Sequence, residues 1–167
     1  VERPDERRIR RARHADATRL TAIAHAAKAH WGYASSELAT WRDDLTVTPA
    51  RLDEDAYCCL DDDLGDTIAF FAVSRATSDD GAVICELEHM WVEPDAMGRG
   101  HGAALLRHAL RVARDAGARE LRIASDPHAE GFYLRMGAVC VGDVPSRPAG
   151  RRLPLLVYRL DDAATPS

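Results

Sequence analysis

Cys85-Glu86-Leu87-Glu88-His89-Met90-Trp91-Val92, then Glu93-Pro94-Asp95-Ala96-Met97, then Gly98-Arg99-Gly100-His101-Gly102: this stretch decides the fold. Its first eight residues read as an apolar strand, and Glu93-Pro94-Asp95 close it. Three glycines at alternate positions follow. From Ala103 the apolar residues fall at Leu105, Leu106, Ala109, Leu110, Val112, Ala113 and Ala116, which is helical spacing. Arg107, Arg111 and Arg114 are left for the outer face, and Gly117 is a C-terminal stop. The unit is therefore strand, glycine-rich turn, amphipathic helix.

Such a turn favours an anion. A helix N-terminus presents unpaired backbone N–H groups and a partial positive charge. Glycines just before it let the backbone approach a ligand with no Cβ in the way. Successive N–H groups there form a nest for phosphate or pyrophosphate. Glycines also mark plain tight turns, and the pattern alone does not decide between the two. Two common nucleotide motifs are excluded. The dinucleotide fingerprint needs its third glycine one position later than Gly102. The other phosphate loop needs Lys-Ser/Thr after its last glycine, and Lys28 is the only lysine in the chain.

The same residues resemble the pyrophosphate loop of the GNAT superfamily of acyl-CoA-dependent N-acyltransferases. The family pattern is Val/Ile, four residues, Gln/Arg, two residues, Gly, one residue, Gly/Ala. Val92, Gly100 and Gly102 fall in register with it. Met97 departs from the usual Gln or Arg, at a position that commonly contributes a backbone N–H. A second segment is also similar: Asp126, Ala129, Phe132, Tyr133, Gly137 and Ala138 follow Asn-x-x-Ala-x-x-Leu/Phe-Tyr-x-x-x-Gly-Phe, with Asp for Asn and Ala for the final aromatic. The resemblance covers about Ile9 to Leu160 and is sharp from Cys85 to Ala138.

Composition agrees with a soluble globular chain. With 167 residues, 46% of them hydrophobic and 29% charged, one domain over residues 1–160 and a flexible tail over 161–167 are expected. No apolar run approaches the roughly 20 residues of a membrane helix, and no secretory signal opens the sequence. A net charge of −5 argues against a nucleic-acid partner, although Arg99, His101 and Arg135 supply basic groups for one CoA phosphate. Cys58, Cys59, Cys85 and Cys140 show no metal spacing, so no metal is expected. Cys85 and Cys140 lie in apolar strand patterns and read as core thiols, and the natural setting is the reduced cytoplasm.

Taken in order, Arg7–Arg13 reads as an edge strand around Ile9 and Asp16–Trp31 as a helix ending at His30-Trp31-Gly32-Tyr33. Ser35–Leu45 reads as a second helix capped by Ser35 or Ser36, and Thr48-Pro49 opens another turn. Strands are expected at Tyr57–Leu60, Thr67–Ser74, Glu120–Ala124, Val139–Val144 and Leu153–Leu160. Asp61–Asp66 reads as an acidic hairpin turn rather than a cation site, and Ala76–Gly81 as another turn. Pro127 is expected to open a helix to Met136, capped by Gly137. The order gives an α/β fold. The resemblance makes it a mixed, mostly antiparallel central sheet with a splayed central strand pair and helices on both faces.

Acyl transfer to an amine needs the donor held, its carbonyl polarised, the amine deprotonated and the thiolate protonated. By resemblance, Met97, Gly98, Arg99, Gly100, His101, Gly102 and Ala103 would hold the pyrophosphate of acetyl-CoA. The backbone of Met90, Trp91 and Val92 would pair with the pantetheine, and Asp126, Phe132 and Tyr133 would complete the donor site. Strand alternation puts Glu86, Glu88 and Met90 on one face and Leu87, His89 and Trp91 on the other. Glu86 and Glu88 are the candidate bases, at positions where family members keep one. His89 faces away and ranks below them. Tyr133, at the family's tyrosine position, is the candidate acid. His30, Trp31 and Tyr33 are candidate acceptor contacts, with core packing as the competing role.

The activity expected is transfer of an acetyl group to a primary amine by direct attack in a ternary complex, in a homodimer as the resemblance implies. Cys85 as an acyl carrier lacks any neighbouring base in the sequence. The competing reading, from another class, is a non-catalytic acyl-CoA-binding sensor. Retention of Glu86, Glu88 and Tyr133 together favours the enzyme. The acceptor amine and the acyl length are not encoded in any motif.

Overall fold

A computed structural model describes residues 8–160. The expected tail at 161–167, and the first residue of the expected edge strand, Arg7, lie outside the described residues. The strands are β1 (Ile9–Arg11), β2 (Ala56–Asp61), β3 (Thr67–Thr77), β4 (Val83–Val92), β5 (Glu120–Ala124), β6 (Val139–Pro145) and β7 (Arg152–Arg159). The helices are α1 (Ala17–His30), α2 (Ser35–Thr40), α3 (Arg42–Leu45), α4 (Pro49–Glu54), α5 (His101–Asp115) and α6 (Glu130–Arg135). One seven-stranded sheet has the order β1-β2-β3-β4-β5-β7-β6. β1 pairs antiparallel with β2, as β5 and β6 do with β7, whereas β4 and β5 run parallel. The mixed, mostly antiparallel α/β sheet expected from the sequence is the fold observed.

The β4–β5 ladder is short. Its register pairs Ile84 with Glu120, Cys85 with Leu121 and Glu86 with Arg122, and it stops there. On its other edge β5 stays paired with β7 through Ala124–Leu155. The strand pair thus parts beyond Glu86, and a strand edge whose backbone groups leave their ladder offers them to a ligand.

The chain divides into two compact units, which we describe separately: residues up to Ala72 with His89–His108, and Val73–Glu88 with Ala109 onward. The first is built on Leu20, Ile23, Trp41, Tyr57, Cys59 and Phe70, all buried together. α1 contributes through the three- and four-residue spacing seen in its sequence. Gly32, at φ +81°, then ends it in the left-handed conformation that favours glycine. The second unit buries Ile84, Cys85, Leu121, Ile123, Tyr133, Leu156 and Tyr158. α5 follows its predicted stripe, with Leu105, Leu106, Ala109 and Ala113 fully buried.

Several expectations are corrected. The helix expected over Ser35–Leu45 is two helices broken at Trp41, whose buried ring is pinned against Tyr33 in an edge-on pair at 4.9 Å. Its cap is Ala34, not a serine. The Ala34 carbonyl accepts from Glu37 and Leu38 N–H, while the Glu37 carboxylate reaches back to the Ala34 N–H at 3.4 Å. Pro127 does not open a helix. The Asp126 carboxylate accepts from the His128 N–H at 2.9 Å, holding an Asx turn, and α6 starts at Glu130. β3 runs on through Thr77, which shortens the turn expected over Ala76–Gly81. Cys140 is exposed rather than core, because β6 is the last strand of the sheet and bulges between Cys140 and Gly142.

Candidate active site

In the first unit, β4 ends at Val92 and a 3-10 turn over Pro94–Ala96 leads to the glycines. Gly98 has φ +77° and Gly100 φ +86°, while no non-glycine residue has positive φ among the described residues. The φ sign therefore alternates along Gly98-Arg99-Gly100, the backbone habit of an anion nest. A Cβ at either glycine would meet nothing within 4 Å, so the space beside this backbone is open. The N–H groups of Gly98, Arg99, Gly100, Gly102 and Ala103 donate to no other group among the described residues. Five free donors meet at the positive end of the 15-residue helix α5. Met97 N–H is already taken by the Pro94 carbonyl at 3.3 Å, so the free donors begin at Gly98. Arg99 is exposed and His101 half-buried beside them. These residues fit a pyrophosphate.

The strand before the loop alternates as expected. Ile84, Cys85, Leu87 and His89 are buried, whereas Glu86 and Glu88 are exposed. The two carboxylates are thus open to solvent rather than sealed in the core. Glu88 accepts a 2.5 Å hydrogen bond from the Ser74 hydroxyl, and the backbone of Glu86 pairs in register with that of Arg122. The buried acid of the second unit is Glu120, held by Arg122 at 2.6 Å and Arg159 at 3.5 Å. Nothing in the strand pattern around Glu120 distinguishes it from a surface acid.

His89 belongs to an aromatic core. Its ring centroid lies 6.0 Å from Tyr57 and 5.8 Å from Phe70, and its Nδ1 accepts from Trp91 Nε1–H at 3.1 Å. Burial pushes its pKa down to about 4, assisted by Arg51 and opposed by Asp44. At neutral pH it is an uncharged imidazole whose acceptor nitrogen orients the half-buried Trp91. Met90 and Val92 are likewise half-buried.

The candidate acceptor residues spread over different environments. His30 is exposed, Trp31 is half-buried against it at 6.0 Å, and Tyr33 packs on Trp41. Tyr33 and Trp41 also have a role that no sequence pattern marks. The ammonium of Lys28, itself buried, lies 4.8 Å from the Tyr33 ring and 4.3 Å from the Trp41 ring. Cation–π contact of this kind is worth about 2 kcal/mol or more when desolvated. The i, i+5 spacing of Lys28 and Tyr33 was the only available hint.

In the second unit Tyr133 is buried on α6, 5.2 Å from the half-buried ring of Phe132. Its backbone carbonyl accepts from the Tyr158 hydroxyl at 3.0 Å. Its own hydroxyl has no hydrogen-bond partner among the described residues. Burial raises its pKa well above 10, and Tyr158 and Asp126 add to the shift, so the phenol is protonated at neutral pH. The protonated phenol is a hydrogen-bond donor that the described residues leave unused. Asp126 is committed elsewhere: it accepts from His128 Nδ1 at 2.9 Å and pairs with Arg151 at 3.7 Å.

With this geometry in hand, comparison with known families is decisive. Residues 10–138 match the model described as the acetyltransferase (GNAT) family. The chain belongs to that family. It is an acyl-CoA-dependent acetyltransferase by descent, and its fold is that of solved GNAT proteins. A GCN5-related N-acetyltransferase from Rhodopseudomonas palustris superposes with TM-score 0.73 at 21% identity, covering 91% of this chain and 94% of that one. A PaiA N-acetyltransferase from Thermoplasma acidophilum, in complex with coenzyme A, gives 0.70 at 15% identity, covering 90% and 97%. A putative acetyltransferase from Salmonella typhimurium, YncA, with its cofactor acetyl-CoA, gives 0.66 at 20% identity, covering 95% and 96%. Comparison with curated proteins gives no match. No helix among the described residues of this GNAT chain is long and apolar enough to cross a membrane.

Proposed function

We propose that this GNAT chain transfers an acetyl group from acetyl-CoA to a primary amine, of a small molecule or an exposed amino group, by direct attack in a ternary complex. The observation that carries the reading is the set of unengaged N–H groups of Gly98, Arg99, Gly100, Gly102 and Ala103 at the start of α5. These donors and the open space at Gly98 and Gly100 suit a pyrophosphate. A cytoplasmic homodimer is part of the proposal on family resemblance alone.

When bound, acetyl-CoA supplies an activated carbonyl and a thiolate leaving group. The protein's tasks follow from that chemistry. The loop from Gly98 to Ala103 fixes the diphosphate, and the backbone of Met90, Trp91 and Val92 orients the thioester and polarises its oxygen. Glu86 or Glu88 takes the proton from the incoming ammonium, directly or through water, so that the amine lone pair can attack the carbonyl carbon. As the new C–N bond forms and the C–S bond breaks, the electron pair leaves on sulfur. Tyr133 donates to that sulfur. Because its pKa is held above 10, Tyr133 acts first as a hydrogen-bond donor to developing charge and releases its proton to sulfur only as the bond breaks. The second proton of the attacking nitrogen leaves to solvent as the amide forms, and solvent returns a proton to the phenolate. His30, Trp31 and Tyr33 are the proposed acceptor contacts.

The test is an amine panel assayed with acetyl-CoA by mass spectrometry for an acetylated product, with initial rates measured over both substrates. Intersecting double-reciprocal lines and an N-acetyl product support the reading. Parallel lines, which signal a covalent acyl-enzyme, would overturn the direct mechanism.

A further inference from the structure

We propose that Arg19 is a positioning residue for the anion-binding loop, acting through Glu93. This rests on the reading of Gly98–Ala103 as a pyrophosphate site. Arg19 lies on α1, far in sequence from the loop, and no motif points to it. Its guanidinium makes two bonds of different kinds. Nε donates to the Thr67 carbonyl at 2.9 Å, at the start of β3, and Nη2 donates to the Glu93 carboxylate at 2.7 Å, just past the end of β4. Glu93 is held at its other polar groups as well. Its N–H donates to the Ile68 carbonyl at 2.8 Å, and its carbonyl accepts from Ala96 N–H at 2.9 Å, which closes the 3-10 turn leading to Gly98. Every polar group of Glu93 thus fixes the direction in which the chain leaves β4.

Glu93 places a carboxylate one short turn before a cluster of donors aimed at an anion. It is only 31% exposed, so solvent screens it incompletely. Left alone it would oppose a diphosphate, and Arg19 cancels it. Asp95, in the same turn, is exposed and better screened. Arg19 is itself supported from behind. Thr67, whose carbonyl it binds, donates its hydroxyl to Asp61 at 2.7 Å. Asp61 pairs with Arg10 at 2.6 Å, and Arg10 grips Asp16 at 2.9 and 3.0 Å. The buttress runs from β1 to the exit of β4. A monodentate ammonium cannot hold Thr67 and Glu93 together in this fork geometry.

The experiment measures the acetyl-CoA dissociation constant and melting temperature of the full chain as wild type, Arg19→Ala, Arg19→Lys, Glu93→Gln and the Arg19→Ala/Glu93→Gln double variant. Arg19→Ala is expected to bind about tenfold more weakly, since it exposes an unneutralised carboxylate beside the anion and frees the turn. Adding Glu93→Gln removes that charge and is expected to recover most of the loss. Arg19→Lys should fall between wild type and Arg19→Ala, and it keeps the test alive if Arg19→Ala fails to fold. A merely structural role predicts the reverse order, with the double variant binding no better than Arg19→Ala and both following the melting temperature. That outcome, or wild-type binding by Arg19→Ala, overturns the proposal. If wild type itself fails to bind acetyl-CoA, the pyrophosphate reading has failed rather than the Arg19 relay.

Discussion

The Tyr158 hydroxyl donates to the backbone carbonyl of Tyr133 at 3.0 Å, inside the second unit, while the Tyr133 hydroxyl keeps its donor unused. One tyrosine anchors the main chain of the other. Burial drives Tyr158's own pKa up to about 12, so it remains a donor throughout the working pH range.

Two substitutions separate these roles. Tyr133→Phe is expected to lower kcat about 100-fold, within the range for losing an acid–base group. Its acetyl-CoA affinity should stay within about threefold of wild type. Tyr158→Phe is expected instead to cost about 1 kcal/mol of stability, because the Tyr133 carbonyl also accepts from Met136 and Ala138 N–H and is not orphaned. Steady-state kinetics beside urea denaturation reads both. A Tyr133→Phe enzyme with normal kcat would remove the phenol from the mechanism.

Glu86 and Glu88 share a face but not a setting. Glu88 is tied to Ser74, and Glu86 lies at the last paired residue before β4 and β5 part. Replacing the true base by Gln is expected to lower kcat/KM by about two orders of magnitude at pH 7. Replacing the other should change it by less than about threefold. Equal, small effects from both would assign proton removal to solvent.

Gly100 carries φ +86° with open space at its Cβ position, so Gly100→Ala introduces backbone strain without a clash. The strain is about 1–2 kcal/mol, and relief by relaxing the loop would disperse the N–H groups. Acetyl-CoA is expected to bind about tenfold more weakly while the melting temperature shifts by only a few degrees. Calorimetric titration of the variant checks this.

His89 predicts a pH dependence. Its pKa falls from 6.5 to about 4 on folding, so the unfolded chain binds the extra proton between those values. The stability contributed is complete above pH 6.5 and is lost as pH falls towards 4, amounting to about 2–3 kcal/mol by pH 4.5. Asp16, lowered by the Arg10 hydrogen bond, and Asp80, lowered to about 2 by Ser78 and Arg119, act in a more acidic window beginning near 3.8. Urea titrations of wild type and His89→Gln across pH 7.5 to 4.5 test the assignment. The variant should lack the loss above pH 4.5.

How much of this was legible beforehand depended on whether the interaction was local. The β4–loop–α5 unit was readable because apolar period, alternate glycines and a stop glycine all lie within one contiguous stretch. The segment around Tyr133 was legible only at its end, where Gly137 takes φ +98° just past α6; its start was not, because the Asx turn at Asp126 delays the helix to Glu130. The helix break at Trp41 was not, since it is a packing choice made with Tyr33 and Lys28. Arg19 and Glu93 stand 74 residues apart, and a salt bridge at that separation leaves no periodic trace. Cys140 reads as a core thiol because alternation in a strand does not reveal that the strand is the last in its sheet. Burial of Glu120 depends on Arg122 of its own strand and on Arg159, which only the β5–β7 register brings opposite it.

The most direct test of the account is calorimetric titration of the purified chain with acetyl-CoA, beside NAD and ATP as controls. Saturable binding in the micromolar range is expected for acetyl-CoA alone, with one site per chain. Absence of acetyl-CoA binding, or equal binding of all three nucleotides, would contradict the assignment of Gly98–Ala103 as its pyrophosphate site.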